Sequence, residues 1–205
     1  ASPALLLRML YWLLPTTGYL IGSVSSAIVV SALLQLPDPR NSGSRNPGAT
    51  NVLRLGSKIG ALLTLVGDIA KGLLPVLAVS CWISDHALLL VATGLGAFLG
   101  HLFPLYFRFA GGKGVATALG VVLAIHPLVA LMQIATWLLV ALVFRYSSLA
   151  ALVTAAATPL YLWFAGDEIS FILLGVVLAV LLFWRHRQNI ERLIARTESK
   201  IRLGR

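Results

Sequence analysis

Charge is what this 205-residue chain has least of: charged residues make up 11% of it, and only seven are acidic. Soluble domains carry about 25%, so the polar surface is too small to hold the chain in water. Cysteine is nearly missing as well. The lone Cys81 excludes an intramolecular disulfide and a multi-cysteine metal site. It has no basic neighbour, which argues against a thiolate nucleophile. The acidic residues are too few and scattered for a metal site, and no cofactor is expected. Without repeats, low-complexity tracts or a hydrophilic domain, residues 1–205 read as a single integral membrane domain.

Apolar length is what the chain does have. It is 59% hydrophobic, with apolar stretches at about 10–35, 59–83, 87–107, 115–143, 148–166 and 169–184. Most approach the ~20 residues of helix that cross hydrocarbon. The net charge of +9 fits the positive-inside bias of membrane proteins, so no nucleic-acid partner is needed to explain it.

One stretch has the wrong length. As a single helix 115–143 would run about 43 Å, too long for one crossing and too short for two full ones. His126-Pro127 lies in its middle, and proline disfavours helix in the residue before it. A break there puts Arg40, Arg45, Arg54, Lys58, Arg108, Lys113, Arg145 and the seven basic residues from Arg185 to Arg205 on one face. The opposite loops then hold Asp85, His86, His126, Asp167 and Glu168, with no Lys or Arg. The expectation is an all-α polytopic membrane protein of seven transmembrane helices, N-terminus outside and C-terminus cytoplasmic. Its fourth helix, about 115–125, is only about 17 Å long, which draws the preceding loop toward the membrane surface.

Three segments on the basic face invite chemistry. The first is Ser42-Gly43-Ser44-Arg45-Asn46-Pro47-Gly48-Ala49-Thr50-Asn51. It offers free backbone N–H groups, hydroxyls and a guanidinium, as a phosphate requires. Pro47-Gly48 is a turn signal, and a short helix is expected from Ala49, with Thr50 and Asn51 at its anion-attracting start. The second, Gly111-Gly112-Lys113-Gly114, lets backbone approach a ligand closely and adds a point charge before a helix N-terminus. Walker spacing and a preceding strand are lacking, so it does not read as a nucleotide site. The third is the exit of the last helix, where His186 and Asn189 are spaced to share a helix face within a basic collar.

Other polar residues have plainer readings. Ser148 stands where a helix N-cap belongs. Asp68 and Lys71 form an i, i+3 pair about mid-bilayer, which is either functional or a clamp between helices. His101 reads as a structural hydrogen-bonding group.

Taken together, Gly22-Ser23, the Gly43–Asn51 motif, Gly67-Asp68 with Lys71-Gly72, Gly100-His101, Gly111–Thr117, Ser148 and Asn189-Ile190-x-Arg192 occur in an order and spacing that resembles the bacterial PlsY-type acyl-phosphate:glycerol-3-phosphate acyltransferases. The resemblance spans nearly the whole chain. It implies transfer of a fatty acyl group from acyl phosphate to the 1-hydroxyl of glycerol 3-phosphate, giving lysophosphatidic acid and phosphate. It also implies a bacterial plasma (inner) membrane location with the site facing the cytoplasm. By position, Ser44, Asn46, Gly48, Thr50, Gly111, Gly112 and Gly114 would hold the donor phosphate. Arg54, Lys113, Ser148, His186 and Asn189 would bind glycerol 3-phosphate, with Lys113, Ser148, His186 and Asn189 acting in catalysis. Ser147 competes with Ser148 for the serine role.

Such chemistry suits the composition. An acyl phosphate is already activated, so the protein must orient a hydroxyl and stabilise developing charge rather than supply a covalent nucleophile. The His-x4-Asp pattern of the larger glycerolipid acyltransferases is lacking. The donor's own phosphate is therefore the expected proton acceptor, with His186 as the alternative. Membrane lipids are expected partners, and the soluble enzyme that makes acyl phosphate is a candidate one. The rival readings are an anion transporter using Asp68, Lys71 and His101, and a structural subunit that binds anionic lipid.

Overall fold

The computed structural model describes residues 3–201, and every regular element in it is helical. Of the basic tail residues counted above, Arg202 and Arg205 lie outside the described residues. The chain divides into two compact units at Ile125 and His126.

The first unit holds α1 (Pro3–Gly22), α2 (Ser26–Leu33), α3 (Ala49–Arg54), α4 (Lys58–Trp82), α5 (Ala87–Leu102) and α6 (Val115–Ile125). Here the expectation of one uninterrupted stretch over 10–35 needs correction. The helix breaks across Ser23, Val24 and Ser25, just after Gly22. Gly and Ser neighbours are a known cause of such breaks. The carbonyl of Val24 accepts a hydrogen bond from Lys71 Nζ at 2.9 Å.

Glycine sets how closely these helices pack. A Cβ on Gly22 would collide with the Ala97 carbonyl, and one on Gly100 with that of Tyr19, so α1 and α5 touch backbone to backbone. Gly72 and Gly120 bring α4 and α6 together in the same way, against the carbonyls of Thr117 and Ile69. Lipid offers no hydrophobic drive for helix pairing, and small residues make up for it by permitting close van der Waals contact.

The second unit holds α7 (Pro127–Phe144), α8 (Ser147–Phe164), α9 (Ile169–Arg185) and α10 (Arg187–Ile194). Hydrogen bonds from Gln133 Nε2 to Thr158 Oγ1 and between the hydroxyls of Thr136 and Tyr161, both 2.7 Å, join α7 to α8. The segment after α10 is tied back at Ile201, whose N–H donates to the Arg145 carbonyl at 2.6 Å. The side chain of Ile201 packs on Val140, Ala141 and Ala150.

The expected break at His126-Pro127 is present. α6 stops at Ile125, and Pro127 occupies the first turn of α7, where its missing N–H is no loss. His126 Nδ1 accepts from the Val129 N–H, capping α7. By length and composition five helical stretches could cross a bilayer: Arg8–Leu33, Lys58–Trp82, Ala87–Phe107, Pro127–Phe144 and Ser147–Phe164. Joined to α10 across a 62° bend, α9 would be a sixth, and α6 is a shorter apolar helix of 11 residues. Trp12, Trp82 and Phe164 are each at least 80% exposed. In such a chain these outward apolar side chains face lipid.

Candidate active site

The candidates fall into two groups, one in each unit. In the first unit the Ser42–Asn51 segment is organised by a residue expected only as part of the start of a short helix. Asn51 is instead turned inward and is 1% exposed. Its Oδ1 accepts from the Ser44 N–H at 2.8 Å, while its Nδ2 donates to the carbonyls of Pro39 (2.8 Å) and Ser42 (3.0 Å). One side chain thus folds the loop over itself. Gly43 (φ 62°) and Arg45 (φ 56°) adopt left-handed backbone on either side of Ser44. A Cβ on Gly43 would run into Asn51 Oδ1.

At the loop's entrance Asp38 accepts from both the N–H and the guanidinium of Arg40. These hydrogen bonds hold its carboxyl below the usual range, despite an opposing push from partial burial. Ser44 is left exposed and Asn46 half-buried, while α3 opens at Ala49 as expected and carries Thr50 in its first turn. Arg54, the last residue of α3, is exposed.

The second turn lies directly against the first. Gly112 is wedged so tightly that an added Cβ would strike His101 Nε2 and stand 2.8 Å from the Pro47 carbonyl oxygen. Its N–H donates to the His101 carbonyl at 3.2 Å. A Cβ on Gly111 would meet the carbonyls of His101 and Leu102, and Gly114 takes positive φ (86°) against the Phe98 ring. Glycine is therefore required at three of four positions by contact with the protein itself. Half-buried Lys113 sits between them, and α6 starts one residue past Gly114.

In the second unit Ser148, Asn189 and Arg192 meet on a carboxylate that sequence reasoning missed. Glu198 Oε1 accepts from Ser148 Oγ (2.7 Å) and Asn189 Nδ2 (2.6 Å), and Oε2 accepts from Arg192 Nε (2.7 Å). The Glu198 side chain is 5% exposed. Burial alone would raise its pKa, but hydrogen bonds from Arg192, Ser148 and Asn189 outweigh that and lower it. The available signal was slight: Glu198 is one of two acidic residues, with Glu191, in a basic tail.

Two expectations need correction here. Ser148 is not an N-cap: Tyr146 holds that position, and the Ser148 hydroxyl is committed to Glu198. Nor do His186 and Asn189 share the face of one continuous helix. His186 is the joint between α9 and α10, and the 62° bend turns both residues into buried positions. His186 Nδ1 lies 2.8 Å from the Leu182 carbonyl. A carbonyl only accepts, so Nδ1 bears a proton.

Together these features define a multi-pass helical membrane protein with two glycine-bearing turns pressed against each other. The family model described as glycerol-3-phosphate acyltransferase matches residues 12–196. A glycerol-3-phosphate acyltransferase of Thioalkalivibrio sulfidiphilus is 54% identical over 184 residues, 90% of each chain. One from Halorhodospira halophila is 54% identical over 195 residues, covering 94% of this chain and 98% of its own. Among solved structures, the glycerol 3-phosphate form of PlsY (YgiH), an integral membrane glycerol 3-phosphate acyltransferase, superposes with a TM-score of 0.87 at 41% identity. That match covers 93% of this chain and 95% of the other. The lysophosphatidic acid form of the same protein gives 0.84 at 41% identity, covering 93% and 94%. The chain belongs to the glycerol-3-phosphate acyltransferase family, and is thus an integral membrane acyltransferase.

Proposed function

We propose that this protein transfers a fatty acyl group from acyl phosphate to the 1-hydroxyl of glycerol 3-phosphate, releasing lysophosphatidic acid and phosphate. Family membership supports glycerol 3-phosphate as acceptor. The observation that carries the phosphate-binding role is the contact of the two turns, with Gly112 seated between His101 and the Pro47 carbonyl. In this reading backbone N–H groups of the two turns that are not already engaged within the protein meet the developing charge, as stabilisation of an acyl-transfer transition state requires.

In this reading Ser44, Asn46, Gly48 and Thr50, with the turn formed by Gly111, Gly112 and Gly114, hold the donor phosphate, while the Gly112 N–H itself serves the His101 carbonyl. Arg54, Lys113, Ser148, His186 and Asn189 bind glycerol 3-phosphate. Between the two serines, the hydrogen bond to Glu198 favours Ser148. Glu198 orients the Ser148 hydroxyl and the Asn189 amide by accepting from both.

The donor phosphate, with a second pKa of about 6, takes the hydroxyl proton as it leaves, and no covalent acyl-enzyme forms. His186 is the competing acceptor. Loss of turnover in His186→Ala with glycerol 3-phosphate affinity unchanged would decide for His186.

Seven crossings of the bacterial plasma membrane, N-terminus outside and site cytoplasmic, complete the proposal. The chain acts as one integral membrane domain. Cysteines placed at 46, 113 and 189 should react with impermeant reagents only from the cytoplasmic side. The decisive assay gives detergent-purified protein palmitoyl phosphate and glycerol 3-phosphate. Phosphate release that needs both substrates and collapses in Lys113→Ala supports the reading, and intact substrates after incubation with wild type refute it.

A further inference from the structure

Two buried charges and a histidine beneath the glycine turns have no part in the mechanism above. Asp68 (3% exposed), Lys71 (6%), His101 (6%) and Thr117 (0%) lie on α4, α5 and α6. Lys71 Nζ is 2.9 Å from Asp68 Oδ1, which is 3.6 Å from His101 Nδ1. Thr117 Oγ1 lies 3.2 Å from the same imidazole nitrogen. The other ring nitrogen, Nε2, abuts Gly112. At the far end Lys71 Nζ donates to the carbonyl of Val24, in the break that separates α1 from α2.

The row therefore runs from the broken first helix, through α4 and α5, to the second glycine turn. Holding the helices together does not explain it. Close glycine contacts already join the same elements: Gly67 of α4 packs on Ser26 of α2, and Gly94 of α5 on Val121 of α6 and Val76 of α4. An ion pair in hydrocarbon is expensive, and apolar residues of similar volume usually serve packing better. What the row fixes is the imidazole. Thr117 Oγ1 is within hydrogen-bond reach of Nδ1, and the Asp68 carboxylate lies 3.6 Å from the same atom, so hydroxyl and charge together favour the ring orientation that rests Nε2 on Gly112.

We propose that Lys71, Asp68 and His101 form a positioning network that sets the glycine turn at 111–114 against the Pro47 carbonyl, and so sets the spacing of the phosphate cradle. His101 is the residue on which Gly112 is seated, Asp68 and Thr117 orient it, and Lys71 neutralises Asp68 while tying it to the helix break. This rests on the reading of the two turns as a phosphate site. The network acts on phosphate through Gly112 and touches no substrate.

The test uses the full chain in detergent and three readouts: melting temperature, steady-state constants for both substrates, and the affinity of inorganic phosphate by calorimetry. His101→Leu removes the seat. The pair Asp68→Leu with Lys71→Met removes the orienting charges together, so that no lone charge is left buried. Both should melt within about 4 °C of wild type. Both should nonetheless bind phosphate, and turn over, about tenfold to 100-fold less well, as displacement of a binding group by about 1 Å can produce. His101→Gln, which keeps a side-chain hydrogen-bonding group, should recover part of the loss. Wild-type phosphate affinity and kcat/KM in the double variant would overturn the proposal. So would failure of both variants to fold, which would make the network a folding element. If wild-type protein binds phosphate but releases none from acyl phosphate, the acyl-transfer reading fails while the positioning role remains measurable by calorimetry.

Discussion

Replacing Asn51 by alanine isolates what the first loop requires. The side chain makes three hydrogen bonds, to the Ser44 N–H and to the carbonyls of Pro39 and Ser42, from a position 1% exposed. Each net bond is worth about 1 kcal/mol, giving about 3 kcal/mol if all are lost inside protein. Ser44 is exposed, so water recovers part of its share. A figure of about 2 kcal/mol is the sounder expectation. That is about a 30-fold change in the equilibrium between the folded and opened loop. The loss is local, because α4 and α5 do not depend on these bonds. Asn51→Ala should keep its melting temperature within a few degrees, become sensitive to protease between residues 40 and 48, and show a raised KM for acyl phosphate. Asn51→Asp should be no better: one oxygen still serves Ser44, but the other faces two carbonyl oxygens. Wild-type protease resistance with KM within twofold for Asn51→Ala would refute the assignment of the loop's order to this side chain.

Further outcomes follow from the same geometry. Gly111→Ala forces a methyl onto two carbonyls of α5 that cannot move aside, so phosphate release should fall about 100-fold in protein that still purifies folded. Gly22→Leu should prevent the close approach of α1 to Ala97 and cost about 1–3 kcal/mol, read as a lower melting temperature in detergent. The Glu198 carboxyl is held below its ordinary pKa in the folded protein. Its stabilising contribution is therefore complete above about pH 4.5 and is lost as pH falls through the folded value. Glu198→Gln should remove that acid sensitivity from a melting-temperature profile taken between pH 3 and 6, while lowering kcat through misorientation of Ser148 and Asn189.

Local chemistry made some elements legible in the sequence. Pro127 dictated the end of α6 at Ile125, because proline acts on its immediate neighbours. Pro47-Gly48 likewise announced the start of α3. Gly111 to Gly114 were readable as a close-approach turn, although the partner that demands them, α5, could not be named from spacing. The break after Gly22 escaped notice because no proline marks it, and the Val24 carbonyl it frees is answered by Lys71, 47 residues away. The role of Glu198 was hidden in the same way. Its three donors stand on α8 and α10, and only the folded chain shows that a carboxylate lies among them. Asn51 was legible as part of the start of α3, but the loop groups that its amide serves are named only by the folded chain.

The pairing of Lys71 with Asp68 within one turn of α4 bears on how the protein is made. Either charge alone at the centre of a nascent segment costs about 3 kcal/mol at the translocon. Adjacent on one helix, at 2.9 Å, they enter the lipid as a neutral unit. The net charge of this segment is thus balanced within a single turn of helix, without a countercharge from another span.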